Sequence, residues 1–222
     1  MSSRRLSDYQ KPPTSLVRSF DVKVLSYTAA LLIVLPFLVW RVDGPVKGLI
    51  LSVQSDWGLQ VATVITAIGY GLIDAGIAVV LFGCGRLTGR PREAVAGRLG
   101  LFAVIVSGLS GQILKNLFCR ARPLTEQSGE FFVEFPCLGK GAGLISFPSG
   151  HSVTAFALAF VLARSYPRYA VPLYGLAVLV ALSRVYLAKH FPSDVVAGAV
   201  VGILSGWFIC RLAAPSSVHE PI

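Results

Sequence analysis

The chain has 222 residues, 54% hydrophobic and only 14% charged, with a mean hydropathy of +0.69. Such a composition excludes an ordinary soluble domain and fits a polytopic membrane protein of about six spans. The net charge of +9 does not point to nucleic acid, because the basic residues sit between apolar runs and form no nucleic-acid motif.

Residues 1–23 are polar and basic and read as a cytoplasmic N-terminal segment. The apolar run after them has no small-residue cleavage site, since Arg41 and Asp43 follow it, so 24–41 is expected to be a retained first span. Residues 45–57 are too short and polar to cross. They suit an interfacial helix with Trp57 at headgroup depth. Further spans are expected at 60–84, 95–118, 150–167, 170–189 and 193–212, with 119–147 as the long loop and 214–222 as a cytoplasmic tail. The fold class is therefore all-α, a six-transmembrane-helix bundle over 24–213.

Asp74 falls within the second predicted span. An intramembrane acid is a functional candidate, but Gly69, Gly71, Ala75 and Gly76 around it favour a packing role. Ala197, Gly198, Ala199, Gly202 and Gly206 in the last span also read as helix packing. Among the four cysteines, Cys84 and Cys210 lie at span ends and are expected to be free thiols. Cys119 and Cys137 share the long loop and leave two readings open: a disulfide clipping that loop over a site, or two unrelated thiols.

With the N-terminus inside, Lys and Arg are more numerous on the cytoplasmic side than on the other. Alternation then carries three polar phrases to one outer face. Lys115 to Arg122-Pro123 lies at the exit of the third span, Pro148-Ser149-Gly150-His151 at the entry of the fourth, and Ser183-Arg184 with His190 and Asp194 between the fifth and sixth.

Each phrase carries its own chemistry. Arg122-Pro123 is expected to end the third helix, because proline turns the preceding residue away from αR. Lys115 and Arg122 then approach one anion from different directions, as point charge and planar fork. Ser149 reads as an N-cap, and Gly150 lets the backbone amides approach a phosphate at a helix N-terminus. His151 in that first turn is placed to pass a proton to a leaving group. Arg184 and His190 are six positions apart, so Arg184 must reach round to share a ligand with His190. Asp194, one turn after His190, is placed to accept Nδ1–H and leave Nε2 free as a nucleophile. Two His and one Asp could bind zinc, but three cations would crowd a metal, so no metal and no cofactor are expected.

Lys-x6-Arg-Pro, Pro-Ser-Gly-His and Ser-Arg-x5-His-x3-Asp together resemble the type 2 phosphatidic acid phosphatase (PAP2) superfamily, with no departure at any motif position. The resemblance implies a bundle of that type and a metal-independent phosphatase. His190 would form a phosphohistidine, Asp194 would orient it, and His151 would protonate the leaving oxygen and later help activate water. Lys115, Arg122, Arg184, Ser149 and the Gly150 amide would hold the phosphate. Vanadate would inhibit.

The expected substrate is a phosphorylated lipid: undecaprenyl diphosphate, phosphatidylglycerol phosphate, phosphatidate or a lipid A phosphate. The expected setting is a bacterial inner membrane with a periplasmic site and both termini cytoplasmic. Two alternatives stand beside this reading. A vanadium haloperoxidase fits a repeatedly spanning chain poorly, and a lipid-phosphate transporter or scramblase would use the cations only to bind.

Overall fold

The computed structural model describes residues 14–139 and 141–213, with side chains from residue 22 onward. Residues 1–13 of the expected N-terminal segment 1–23, and the expected tail 214–222, lie outside the described residues. Every regular element among the described residues is helical.

Helix α1 runs Thr14–Phe37, starting ten residues before the expected span. Pro36 lies near its end and lacks the amide for an intrahelical bond. The helix then widens into a π turn over Leu38–Val42 and continues as α2, Asp43–Val53. The expected interfacial helix over 45–57 is therefore not a separate element. Its first part continues the first helix, and the chain breaks at Gln54–Ser55 before α3, Asp56–Ile68, opens on a Ser55 side-chain cap.

The expected second span is two helices. α3 ends at Gly69, Tyr70 is extended, and α4 runs Gly71–Leu87 at a 46° bend to α3. The run Gly69-Tyr70-Gly71 has poor helix propensity, which puts the break there. Asp74 accordingly sits in the first turn of α4 and not in mid-helix. Helix α5, Pro91–Phe118, opens with proline at its first position. Helices α6 (Gly150–Ser165), α7 (Ala170–Tyr186) and α8 (Pro192–Leu212) complete the bundle.

Among the described residues, four helical stretches are long and apolar enough to cross a bilayer, and five if the bent α3–α4 pair counts as one. Helix α6 has 16 residues and is buried along most of its length, packed against α5, α7 and α8. It is the central post. Exposed Ile33, Val64, Leu72 and Leu182 give the outside an apolar surface suited to lipid chains.

The small residues of α8 bring it against α6. A Cβ on Gly198 would stand 2.7 Å from the Ser149 carbonyl oxygen, and one on Gly206 would stand 3.0 Å from that of Ala157. Glycine at these two positions lets the two backbones touch. The close approach at Gly198 puts the start of α6 beside the start of α8.

Candidate active site

Four helix ends meet at one end of the bundle: the C-termini of α5 and α7 and the N-termini of α6 and α8. The three motif phrases meet there. The Ser149 amide donates to the Asp194 carbonyl at 3.0 Å, joining the second phrase to the third through backbone. A Cβ on Gly150 would lie 3.7 Å from Lys115 Cε, so the Lys115 side chain passes directly over the glycine turn. His151 is in electrostatic reach of Arg184, His190, Lys115 and Arg122. Lys115 in turn feels Arg122, Asp194 and Arg184. All eight predicted residues thus gather around one centre.

Local structure differs from the sequence reading at the end of α5 and at the Ser149 cap, and it decides between the two readings left open for Cys119 and Cys137. Helix α5 ends at Phe118, with Cys119 left-handed at φ 42°, so Arg122-Pro123 does not terminate the helix. Cys119 is joined to Cys137 in a disulfide with Cα atoms 5.7 Å apart. Arg122 then lies in the loop, its amide donating to Gly143 O at 2.8 Å. Ser149 occupies the N-cap position of α6 but makes no side-chain cap. Its buried Oγ has no hydrogen-bond partner and is free to take a ligand oxygen.

The helix carrying Arg184 also stops early. α7 ends at Tyr186, and the amides of Lys189 and His190 both donate to the Arg184 carbonyl, at 3.1 and 3.3 Å. This tight turn doubles the chain back, so His190 approaches Arg184 without a helical phase between them. Arg184 Nη1 donates to Thr66 Oγ1 at 3.0 Å, which leaves Nε unpartnered. Lys115 Nζ donates to Ile145 O at 2.6 Å.

His190 is 3% exposed. Its Nδ1 stands 3.5 Å from Asp194 Oδ2, within electrostatic range but too long for a strong hydrogen bond, and it has no other partner. Burial pushes the imidazole pKa down to about 4, with the Asp194 carboxylate pulling the other way. The ring is therefore neutral at pH 7, the form that holds a nucleophilic lone pair. Burial likewise lowers the Arg122 guanidinium from its ordinary value, opposed by Asp194. Its Nε is buried and unpartnered.

Asp194 is held more firmly than the sequence suggested. Oδ2 accepts from the Phe191 amide at 2.9 Å and Ser146 Oγ at 2.6 Å, and Oδ1 accepts from Arg120 Nη1 at 2.5 Å. Arg120 Nη2 also donates to Asp43 Oδ2 at 2.7 Å. Sequence reasoning noted Asp43 only as a residue following the first apolar run, and it singled out neither Arg120 nor Ser146. Nothing in local spacing joins residues 74 and 77 positions apart. An acid and a base embedded beside apolar runs were the available signal.

Tyr70, at the α3–α4 break, was also missed. Its ring centroid is 6.0 Å from that of His151, and its own surface is half exposed. Asp74 is buried and in contact with Thr154 of α6, with one carboxylate oxygen unpartnered. It packs α4 on α6.

Comparison with known proteins bears on the same region. The chain is 40% identical over 105 residues to the lipid A 1-phosphatase of Rhizobium etli, covering 47% of this chain and 44% of that protein. It is 39% identical over 107 residues to the lipid A 1-phosphatase of Rhizobium johnstonii, covering 48% and 42%. It thus spans less than half the length of these curated relatives. The fold also matches the crystal structure of a transmembrane PAP2 type phosphatidylglycerolphosphate phosphatase from Bacillus subtilis. The TM-score is 0.62 at 25% identity, over 83% of this chain and 94% of that one. The Aquifex aeolicus LpxE structure matches in fold with a TM-score of 0.62 at 23% identity, over 78% and 96%. The PAP2 superfamily model covers residues 97–216, which run from α5 through every motif gathered here. By that match and this architecture, the chain is an integral membrane protein and belongs to the PAP2 superfamily.

Proposed function

We propose that this protein is a metal-independent lipid phosphatase that cleaves a phosphate from a lipid headgroup through a phosphohistidine. The observation that carries the reading is the gathering of Lys115, Arg122 and Arg184 around two imidazoles and Asp194. Three cations, the free Ser149 Oγ and the α6 N-terminus bind the phosphate oxygens. His190 Nε2 attacks phosphorus, and the bond from phosphorus to the lipid oxygen breaks. His151 gives its proton to that oxygen. Water then attacks the phosphohistidine, His151 takes the proton, and inorganic phosphate leaves. The cations are closest to full use in the transition state, where negative charge spreads over the equatorial oxygens.

The substrate best supported is a lipid A phosphate, with the 1-phosphate first, because both Rhizobium relatives carry that name. The exposed ring of Tyr70 beside His151 offers an apolar face to a sugar leaving group. Six spans are read as α1 with α2, α3 with α4, then α5, α6, α7 and α8. The excess of Lys and Arg at the other end of the bundle supports cytoplasmic termini and a periplasmic site.

The test is phosphate release by purified protein in detergent micelles with chelator present. The panel is lipid A 1-phosphate, lipid A 4′-phosphate, undecaprenyl diphosphate, phosphatidylglycerol phosphate and phosphatidate. Release from lipid A 1-phosphate that vanishes in His190→Ala is the expected result. Loss of activity with chelator would overturn metal independence. Lipid movement across vesicles that persists in His190→Ala, with no phosphate released by either protein, would make the chain a transporter.

A further inference from the structure

The carboxylate of Asp194 is one end of a buried chain of charge that reaches the first helix. Arg120 is 1% exposed and binds two acids at once, Asp194 through Nη1 and Asp43 through Nη2. Its guanidinium lies over the rings of Phe131 and Phe191, at 4.6 and 4.2 Å, and its Nε donates to Gly129 O. The two rings and the Gly129 carbonyl thereby hold the fork in place. Asp43 is 3% exposed and accepts from the Ser193 amide at 3.0 Å as well as from Ser193 Oγ and Arg120. Ser193 Oγ also accepts from Arg120 Nη1 at 2.7 Å. Asp43 therefore caps the first turn of α8 from outside that helix.

We infer that Asp43, held at the end of the π turn in the first helix, is a positioning residue for the reaction, acting through Arg120 and Ser193 on Asp194. The inference rests on the proposed pairing of Asp194 with His190. It lies outside the family match, which begins at residue 97. Its physical content is a division of charge. One guanidinium serves two carboxylates, so the trio keeps a net negative charge. Asp194 can then support the positive charge that forms on the imidazole when Nε2 bonds to phosphorus. Without Asp43, Arg120 would pair with Asp194 alone and cancel the charge that faces Nδ1. The π turn over Leu38–Val42 aims Asp43 at this point, and such turns recur at functional sites.

A purely structural trio would lower the amount of folded protein but leave turnover per folded molecule intact. The two cases separate in a rapid-quench experiment on the full chain in micelles, using lipid A radiolabelled in the 1-phosphate. Asp43→Asn is expected to slow formation of the acid-labile phosphoenzyme by about tenfold or more, with KM within about twofold of native. Asp43→Glu is expected to recover part of that rate. Asp43→Asn with a native rate, or with a fall explained wholly by KM, overturns the inference. If Asp43→Asn does not fold, Ser193→Ala takes its place. It removes one hydroxyl link and no charge, and is expected to lower the same rate severalfold; a native rate there overturns the inference. His190→Ala run alongside keeps the two readings apart. Turnover in His190→Ala overturns both, whereas a dead His190→Ala beside a fully active Asp43→Asn removes only the role given to Asp43.

Discussion

The Ser149 amide donates to the Asp194 carbonyl at 3.0 Å, so the turn that opens α6 is fastened to the first turn of α8. His151 follows that turn and His190 precedes it, and both imidazoles are therefore referenced to one backbone contact. A backbone bond of this kind does not depend on side-chain rotamers, so it fixes the spacing of the two imidazoles, the proposed acid and nucleophile, without ordering long side chains.

Replacing His190 by alanine is expected to reduce phosphate release by about a thousandfold or more, because it removes the proposed nucleophile. Phosphate trapping on acid-labile protein should disappear at the same time. His151→Ala should retain the trapped intermediate from a substrate with a good leaving group and lose it with a lipid alcohol, since only the latter needs a proton.

The pH behaviour follows from burial of His190. Its pKa is pushed down to about 4, against about 6.5 for an open histidine. The folded state therefore holds fewer protons than the unfolded state between those values. It loses stability as pH falls through that window, and the His190 ring stays mostly neutral down to about pH 4. Labelled-histidine NMR of the protein in micelles should show the His190 ring titrating with a midpoint near 4. A midpoint near 6.5 would mean that the ring is not buried as described.

The disulfide between Cys119 and Cys137 closes a loop with a sequence separation of 18. Cys137→Ser is expected to lower unfolding stability by about 3 kcal/mol on loop-entropy grounds. Reductant should do the same to the native protein and nothing to the variant. Arg120 is the neighbour of Cys119, so turnover should fall along with thermal stability, measured as Tm and phosphate release on the same samples.

Gly198→Ala is expected to cost about 1–3 kcal/mol through overpacking, since the added Cβ would meet Ser149 O at 2.7 Å. Turnover should fall by more than the loss of folded protein explains, because the atom that must move belongs to the turn proposed to bind phosphate. Gly76→Ala, where a Cβ meets nothing within 4 Å, is the control and should leave both unchanged.

Much of the candidate site was legible because each motif is short and its residues have local reasons to be where they are. Pro192 sets the start of α8, and Asp194 then falls in its first turn. The break at Gly69–Tyr70 was not read, because apolar residues on both sides kept the hydropathy of one continuous span. The early ends of α5 and α7 were missed for a similar reason. Cys119 in a left-handed conformation and the turn around the Arg184 carbonyl are stabilised by a disulfide and by backbone bonds, which composition does not report.

The amino-acid sequence alone determined the chemistry: a membrane-embedded chain, three cations, two imidazoles and one carboxylate in motifs that alternating spans carry to one end. Tertiary structure decided how that carboxylate is held, by bringing Asp43 at the start of α2 and Arg120 in the loop after α5 to Asp194 from distant parts of the chain. It also decided that Ser149 keeps a free hydroxyl instead of capping α6. The division has a physical cause. Helix ends, turns and span length are encoded within a few neighbouring residues, whereas a buried ion pair is chosen by whichever distant partner can repay its desolvation, and only the packed fold names that partner.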